Sequence, residues 1–374
     1  MKKNILFLIE SLRDGGSERS ISNVATEISK KHNVLLVVAN AKETDYLFSG
    51  NIIEIKEFIS KNPLKRLVGI KILKSIKKKY DIDISISYLT AYNLYNILSR
   101  YKDKCFISIR NHLSAKNEGL IARKATIYSN KKADKIICCS KSVEIDQINK
   151  FSANKNKTIV IENFVNEVNY KKKITNNNII TVGRLTRHKG QEHIIKAMSL
   201  VVKRIPDAKL FILGRGSNKD YLEDLVNKLK LSNNIEFIGY TNDIGNYYNK
   251  SKLFVLASDY EGFSNSLVEA MSYSLPVIAT NSFGGNSEVL SEKCYKTNIH
   301  KSIHSKYGIL IPTFVSDHNN FSITKNERIL AKELINLLIN KKDYNYYKNK
   351  SFERSKFYSK KKIIEKWLNI IEEE

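Results

Sequence analysis

Short apolar runs alternate with longer amphipathic stretches along the chain, a pattern that predicts buried strands separated by covering helices. In the first half the predicted strands are Ile5–Ile9, Val34–Val38, Ile52–Ile55, Ile84–Ser87, Phe106–Ile109, Ile136–Cys139 and Ile159–Ile161. Several are continuously apolar, as expected of parallel strands buried on both faces. Between Asn163 and Asn178 the pattern breaks into a polar stretch, NFVNEVNYKKKITNNN, which reads as an interdomain linker. A second series follows at Ile179–Val182, Leu210–Leu213, Ile235–Ile238, Leu253–Leu256, Val277–Ala279 and Gly308–Ile311. From Asn326 onward the period is helical, in three stretches, the last ending near Ile371.

Length agrees with this division, since 374 residues exceed what one compact core normally organises. The expected fold class is α/β with two Rossmann-like, doubly wound parallel sheets. Residues 1–165 would form one domain and 178–356 the other, with a terminal helix over 357–374 packing back on the first. Ligands of such sheets bind beyond the carboxyl ends of the strands.

A formal charge of +25 raises the question of an anionic partner. The excess is even: residues 1–170 hold 30 Lys and Arg against 17 Asp and Glu, and the remainder 33 against 21. No basic tail and no aromatic-interleaved basic motif appears, so nucleic acid is not expected as a partner. Lys65–Lys79 (KRLVGIKILKSIKKK) is a local cluster, with Leu67, Ile70, Leu73 and Ile76 at helical spacing among lysines. It reads either as an ordinary surface helix packed by its apolar stripe or as a face resting on an anionic membrane surface.

Cys105, Cys138, Cys139 and Cys294 have neither disulfide nor metal spacing and suit a reducing compartment. The start, MKKNILFLIESLRDGG, has too short an apolar core for a signal peptide and reads as a first strand. No run reaches bilayer-spanning length. A cytoplasmic protein, peripheral on the inner face of the cell membrane, is the expectation.

Three motifs carry candidate chemistry. Gly15-Gly16 joins the first strand to a helix beginning near Ser17. Paired glycines admit close backbone approach and a helix N-terminus offers amides to an anion, although an ordinary turn would look the same. Gly183–Gly190 (GRLTRHKG) leaves the first strand of the second half and puts Arg184 and Lys189 at that strand's carboxyl edge, suited to a departing diphosphate. Asp259–Thr280 (DYEGFSNSLVEAMSYSLPVIAT) predicts a loop, a helix over about Asn265–Tyr273, and a strand. Glu261 falls in the loop and Glu269 a turn inside the helix, with the amides of Phe263, Ser264, Asn265, Ser266 and Leu267 at the helix N-terminus. Two carboxylates beside a phosphate site make sense as acceptors from sugar hydroxyls. Asp81-Ile82-Asp83 has the spacing of a metal-binding DxD, but its place before a buried strand reads as a cap or turn, and no metal is expected.

The Glu261-to-Glu269 spacing within EGFSNSLVEAMSYSLPVIAT resembles the signature of retaining glycosyltransferases of family 4, which have the GT-B fold. GGSER, GRLTRHKG, LGRG (Leu213–Gly216) and IEFIGY (Ile235–Tyr240) follow in that family's order, and the resemblance covers nearly the whole chain. It implies two domains facing across a cleft, and a nucleotide-sugar donor used without a metal or other cofactor. Arg184 and Lys189 would hold the diphosphate, aided by Gly15 and Gly16. Glu261 would contact the transferred sugar, Glu269 the ribose, and the backbone around Gly239 and Tyr240 the base. Gly262 and Phe263 to Leu267 would border the phosphates and sugar. Many members carry a histidine after the fifth strand, where this chain has Arg110, with His112 two residues on. Arg110 and Asn111 are the candidate pair on the sugar and acceptor side, and His112 reads equally as a loop histidine.

The implied activity is transfer of a hexose or N-acetylhexosamine, UDP-linked for preference, onto a lipid-linked or growing bacterial surface glycan (capsule or lipopolysaccharide). A sugar-nucleotide epimerase of similar fold and a non-catalytic, basic lipid- or polyanion-binding protein are the alternatives. A dehydrogenase is excluded for want of GxGxxG.

Overall fold

The computed structural model describes residues 1–13, 15–42, 44–116, 119–166, 168, 176–294, 298–314 and 322–373. Half of the stretch expected to link the domains lies outside the described residues. The chain divides into two units, Met1–Phe164 with Lys361–Glu374, and Val165–Lys360.

The first unit is a seven-stranded parallel sheet of β1 (Asn4–Ile9), β2 (Asn33–Val38), β3 (Asn51–Glu54), β4 (Ile84–Tyr88), β5 (Lys104–Ile109), β6 (Lys135–Cys138) and β7 (Thr158–Val160). Their order is β3-β2-β1-β4-β5-β6-β7, so the winding direction reverses between β1 and β4. Its helices are α1 (Gly16–Ile28), α2 (Pro63–Lys79), α3 (Thr90–Leu98), α4 (Leu113–Lys116), α5 (Leu120–Lys132) and α6 (Lys141–Phe151). One face of the sheet buries α1 through Ile21, Val24, Ala25 and Ile28. The same core takes Ile363, Trp367, Ile370 and Ile371 from the terminal helix Lys360–Glu372, an apolar stripe at helical spacing. The other face carries Phe58, Leu73, Tyr92 and Tyr95 from the α2 and α3 side. β1 is central and its Ile5–Ile9 side chains are inaccessible, which accounts for the apolar N-terminus.

The second unit repeats the order as β10-β9-β8-β11-β12-β14-β13, with the reversal between β8 and β11. Its strands are β8 (Asn178–Val182), β9 (Lys209–Leu213), β10 (Ile235–Gly239), β11 (Leu253–Leu256), β12 (Val277–Thr280), β13 (Ile303–His304) and β14 (Ile309–Ile311). Only β13, two residues long and unforeseen from the pattern, runs antiparallel. The helices are α7 (Gln191–Arg204), α8 (Lys219–Lys228), α9 (Ile244–Lys250), α10 (Asn265–Ser272), α11 (Asn286–Ser291), α12 (Lys325–Ile339) and α13 (Lys341–Ser355).

The basic helix α2 departs from its expected stripe. It buries Gly69, Leu73 and Lys77, while Leu67 is exposed and Ile70 and Ile76 are half-buried. Lys77 is fully buried: its ammonium donates to Asp103 Oδ2 at 2.8 Å, Asn96 Oδ1 at 2.7 Å and Ser85 Oγ at 3.2 Å. Lys77 therefore belongs to the interior and not to any surface face of α2. A buried ammonium is tolerated only with such pairing. Burial pushes the Asp103 carboxyl up, but the Lys77 ammonium and hydrogen bonds from Lys77, Ser85 and the Tyr101 amide bring it below its ordinary value.

Asp83 accepts from the Asn4 amide at 2.7 Å where β1 begins, at the amino edge of the sheet. It serves the turn there. Among the described residues no cluster of three His, Cys, Asp or Glu is placed to hold a metal ion.

Candidate functional site

In the second unit the ends of β8 and β11, adjacent in the sheet, bring two distant motifs together. The loop after β8 turns through a 3-10 segment, Arg187–Lys189, and enters α7 at Gly190, whose φ is +65°. A Cβ on Gly190 would stand 2.2 Å from the Ala257 carbonyl oxygen, so only glycine lets this loop lie on the end of β11. The Asp259 amide donates to the His188 carbonyl at 2.8 Å, and the His188 and Tyr260 rings stack at 4.9 Å.

That contact aims Lys189 at Glu261. The ammonium donates to Glu261 Oε1 at 2.5 Å, and Ser258 Oγ donates to the same oxygen at 2.7 Å. Ser258 is itself fixed, its carbonyl accepting from Thr280 Oγ1 at 2.6 Å. From behind, the Glu261 amide donates to the Phe283 carbonyl at 2.8 Å, and Gly284 (φ +115°) leaves room for the Glu261 carbonyl. Lys189 and Glu261 side chains are 17% and 11% exposed, enough for a ligand to reach them. The Arg184 carbonyl accepts from Gln191 Nε2 at 3.0 Å, which fixes its backbone. Its guanidinium is exposed and has no hydrogen bond or ion pair among the described residues.

Helix α10 begins at Asn265 behind the N-cap Ser264. Ser264 makes no side-chain cap bond, because its hydroxyl donates to Asn286 Oδ1 at 2.5 Å. Asn286, wholly buried, holds Thr280 and Ser282 in turn at 3.1 and 3.2 Å. A helix N-terminus without its usual side-chain cap suits an incoming anion. Leu267, Val268, Ala270 and Met271 anchor the helix, which leaves Ser266 and Glu269 half-buried. Gly262 and Phe263 are buried at the approach to α10, with Phe263 edge-on to Tyr358 at 5.3 Å.

The ends of β9 and β10 are joined by the Gly214 amide donating to the Gly239 carbonyl at 2.8 Å. Just beyond them the Arg215 guanidinium lies 4.5 Å over the half-exposed Tyr240 ring. Arg215, Ser258 and Asn286 were not among the residues singled out by sequence. Arg215 lay inside a quoted motif, whereas Ser258 and Asn286 act by supporting others and carry no signal of their own.

In the first unit, Gly15 is the extended N-cap of α1, and the Glu18 carboxylate folds over it so closely that a Cβ there would overlap it. Gly16 is the exposed first residue of the helix. Arg110, expected to face a substrate, is turned inward and is only 6% exposed. Its guanidinium donates to Tyr88 Oη at 2.8 Å, Asn163 Oδ1 at 3.1 Å and the Ile161 carbonyl at 3.3 Å, and lies 4.5 Å over the Tyr88 ring. So held, it orders the ends of β4, β5 and β7 and does not reach outward. Asn111 is the half-buried residue at the surface there. His112 is buried with Nδ1 3.7 Å from Asp146 Oδ2; burial holds its ring below the ordinary imidazole value against the pull of Asp146.

Comparison with known proteins follows the same lines. A sequence profile described as "Glycosyl transferases group 1" matches residues 145–301. An uncharacterized glycosyltransferase of Methanocaldococcus jannaschii is 31% identical over 84% of this chain and 86% of its own. The N-acetylgalactosamine-N,N'-diacetylbacillosaminyl-diphospho-undecaprenol 4-alpha-N-acetylgalactosaminyltransferase of Campylobacter jejuni is 27% identical, covering 95% of each chain. Anabaena HepE, solved with UDP and glucose, superposes over the whole of both chains with a TM-score of 0.81 at 17% identity, a likeness of fold.

Proposed function

The chain belongs to the GT-B glycosyltransferases, and from that premise we propose that it moves a hexose or N-acetylhexosamine, with retention, from a UDP-sugar to a lipid-linked or growing surface glycan. The observation that carries this reading is the Lys189–Glu261–Ser258 cluster, set beside the unpaired Arg184 and the N-terminus of α10.

Lys189 and Glu261 satisfy one another. A bound sugar nucleotide offers each a better-matched partner: the diphosphate for Lys189, the sugar hydroxyls for Glu261. Arg184 adds a second cation for the diphosphate, and the α10 amides from Phe263 to Leu267 add fixed dipoles. Glu269 takes the ribose hydroxyls. Arg215 and Tyr240 give the base a flat surface. In the transfer, the bond from the anomeric carbon to the diphosphate oxygen breaks and its electron pair leaves with the diphosphate. The acceptor hydroxyl oxygen bonds to the anomeric carbon on the same face, and its proton passes to the departing phosphate. The charge developing on UDP is met by Arg184, Lys189 and the helix N-terminus, so the reaction is proposed to need no metal ion.

Two findings support the finer substrate choice. The Campylobacter relative acts on a diphospho-undecaprenol acceptor by its name, and the fold neighbour HepE was solved with UDP and with UDP-glucose. The test is UDP release from a panel of UDP- and GDP-sugars, with and without lipid-linked acceptor extract, followed by the anomeric configuration of the product. Equal, slow release by the wild type and Glu269→Ala on every donor would sink the reading.

A further inference from the structure

The basic surplus of the first unit is not distributed evenly over its helices. On one side of the sheet α3 packs against both α2 and α5, making a three-helix layer. That layer contains no Asp or Glu, while α2 and α5 between them expose ten cations: Lys65, Arg66, Lys71, Lys74, Lys78 and Lys79, then Arg123, Lys124, Lys131 and Lys132. None of the ten has a carboxylate partner among the described residues. Some exposed lysines on other helices are paired, as Lys219 with Glu223 and Lys228 with Asp224 on α8. What sets this layer apart is that its three helices carry no acidic residue at all.

The same layer exposes aliphatic side chains where its two basic helices begin. Leu64 is 70% exposed in the first turn of α2, followed by Leu67 and Val68; Leu120 and Ile121 open α5 at 77% and 87%. Scattered exposed leucines are ordinary, but adjacent pairs embedded in unpaired cations are not. A nucleic-acid backbone would use the cations and gain nothing from the aliphatics. A bilayer uses both, with anionic headgroups meeting Lys and Arg and the acyl boundary taking Leu and Ile. No described helix is long and apolar enough to cross a membrane.

We propose that the α2–α3–α5 face docks on an anionic lipid bilayer, seated by Leu64, Leu67, Leu120 and Ile121 and held by the unpaired cations. Lys77 takes no part, because it lies inside. The docking rests on this face alone and does not depend on the donor chemistry proposed above.

The experiment is sedimentation of the full chain with phosphatidylcholine vesicles, with and without phosphatidylglycerol. Three variants accompany it: Lys71→Glu/Lys74→Glu/Lys78→Glu, Leu120→Ser/Ile121→Ser, and the control Lys219→Glu/Lys228→Glu. The wild type and control are expected to bind the anionic vesicles only. The triple variant is expected to bind more than about tenfold more weakly, each headgroup-facing cation being worth on the order of fivefold. The serine variant is expected to bind weakly and to be released at lower salt. Matched thermal melting checks that the variants fold, with Lys71→Gln/Lys74→Gln/Lys78→Gln as substitute if the first melts early. Binding to neutral vesicles as strong as to anionic ones, or no change in either α2 or α5 variant, overturns the proposal. So does displacement of the protein from vesicles by RNA with no effect of the serine variant, which would make the face a polyanion surface. UDP release assayed without vesicles is expected to be unmoved by every variant, so the two readings fail separately.

Discussion

Lys189 donates to Glu261 at 2.5 Å although 72 residues separate them, and the contact exists because Gly190 lets the β8 loop lie against the end of β11. A cation and an anion that partner each other at adjacent strand ends suit a ligand carrying both a diphosphate and hydroxyls. Glu261→Gln keeps the size and the Ser258 contact but removes the charge. It is expected to lower kcat/KM by about 100-fold, the scale of losing one preorganised group at the reacting centre. Steady-state kinetics on the best donor would show it, and an unchanged value would remove Glu261 from the site.

Arg184 gives the complementary case. Its guanidinium has no hydrogen bond or ion pair among the described residues, so Arg184→Ala should leave thermal unfolding unmoved while kcat falls by about 10²–10³-fold. A parallel loss of stability would mean that the residue is structural.

The backbone under Lys189 can be tested directly. Gly190→Ala forces φ +65° on an alanine and drives its Cβ at the Ala257 carbonyl. The expected cost is at least about 1–3 kcal/mol of stability, read by denaturant unfolding, with donor binding lost through displacement of Lys189.

The buried Lys77–Asp103 pair predicts a stability effect remote from the donor site. Lys77→Met leaves the Asp103 carboxylate buried without its cation and should destabilise by roughly 3–5 kcal/mol, whereas Lys77→Met/Asp103→Leu should recover part of the loss. Asp103 titrates below its ordinary value in the fold, so its contribution is full above the unfolded carboxyl pKa of about 3.9. It is lost as pH falls through the lower folded value. Wild-type acid unfolding should therefore carry a contribution below about pH 4 that the double variant lacks.

A last expectation concerns cations. If Arg184, Lys189 and the α10 amides supply the positive charge, UDP release should survive chelation of divalent ions. Loss of turnover in EDTA, restored by one metal, would reject that account.

How far the chain could be read without coordinates follows from what is local in it. The strands of both sheets announce themselves as apolar runs because parallel strands are buried on both faces, and the motifs at their carboxyl ends follow from that placement. The two-residue β13 had no such run and went unseen. The Glu261–Glu269 segment was legible because its loop, helix start and both carboxylates lie within one short stretch.

Which way a side chain turns was not legible. Lys77 reads as one more surface lysine, yet Asp103, Asn96 and Ser85 enclose it; Arg110 reads as a cation at a strand end, yet Tyr88 and Asn163 draw it inward. The sequence by itself determined two doubly wound sheets and the place of the Gly183–Gly190 and Asp259–Thr280 motifs at their strand ends, through periodicity and contiguous motifs. Only the tertiary structure decided the pairing of Lys189 with Glu261, the burial of Lys77 and Arg110, and the joining of α2 and α5 in one unpaired basic face. Each of those depends on residues far apart in the chain, and burial or pairing of a charge is set by what surrounds it in space.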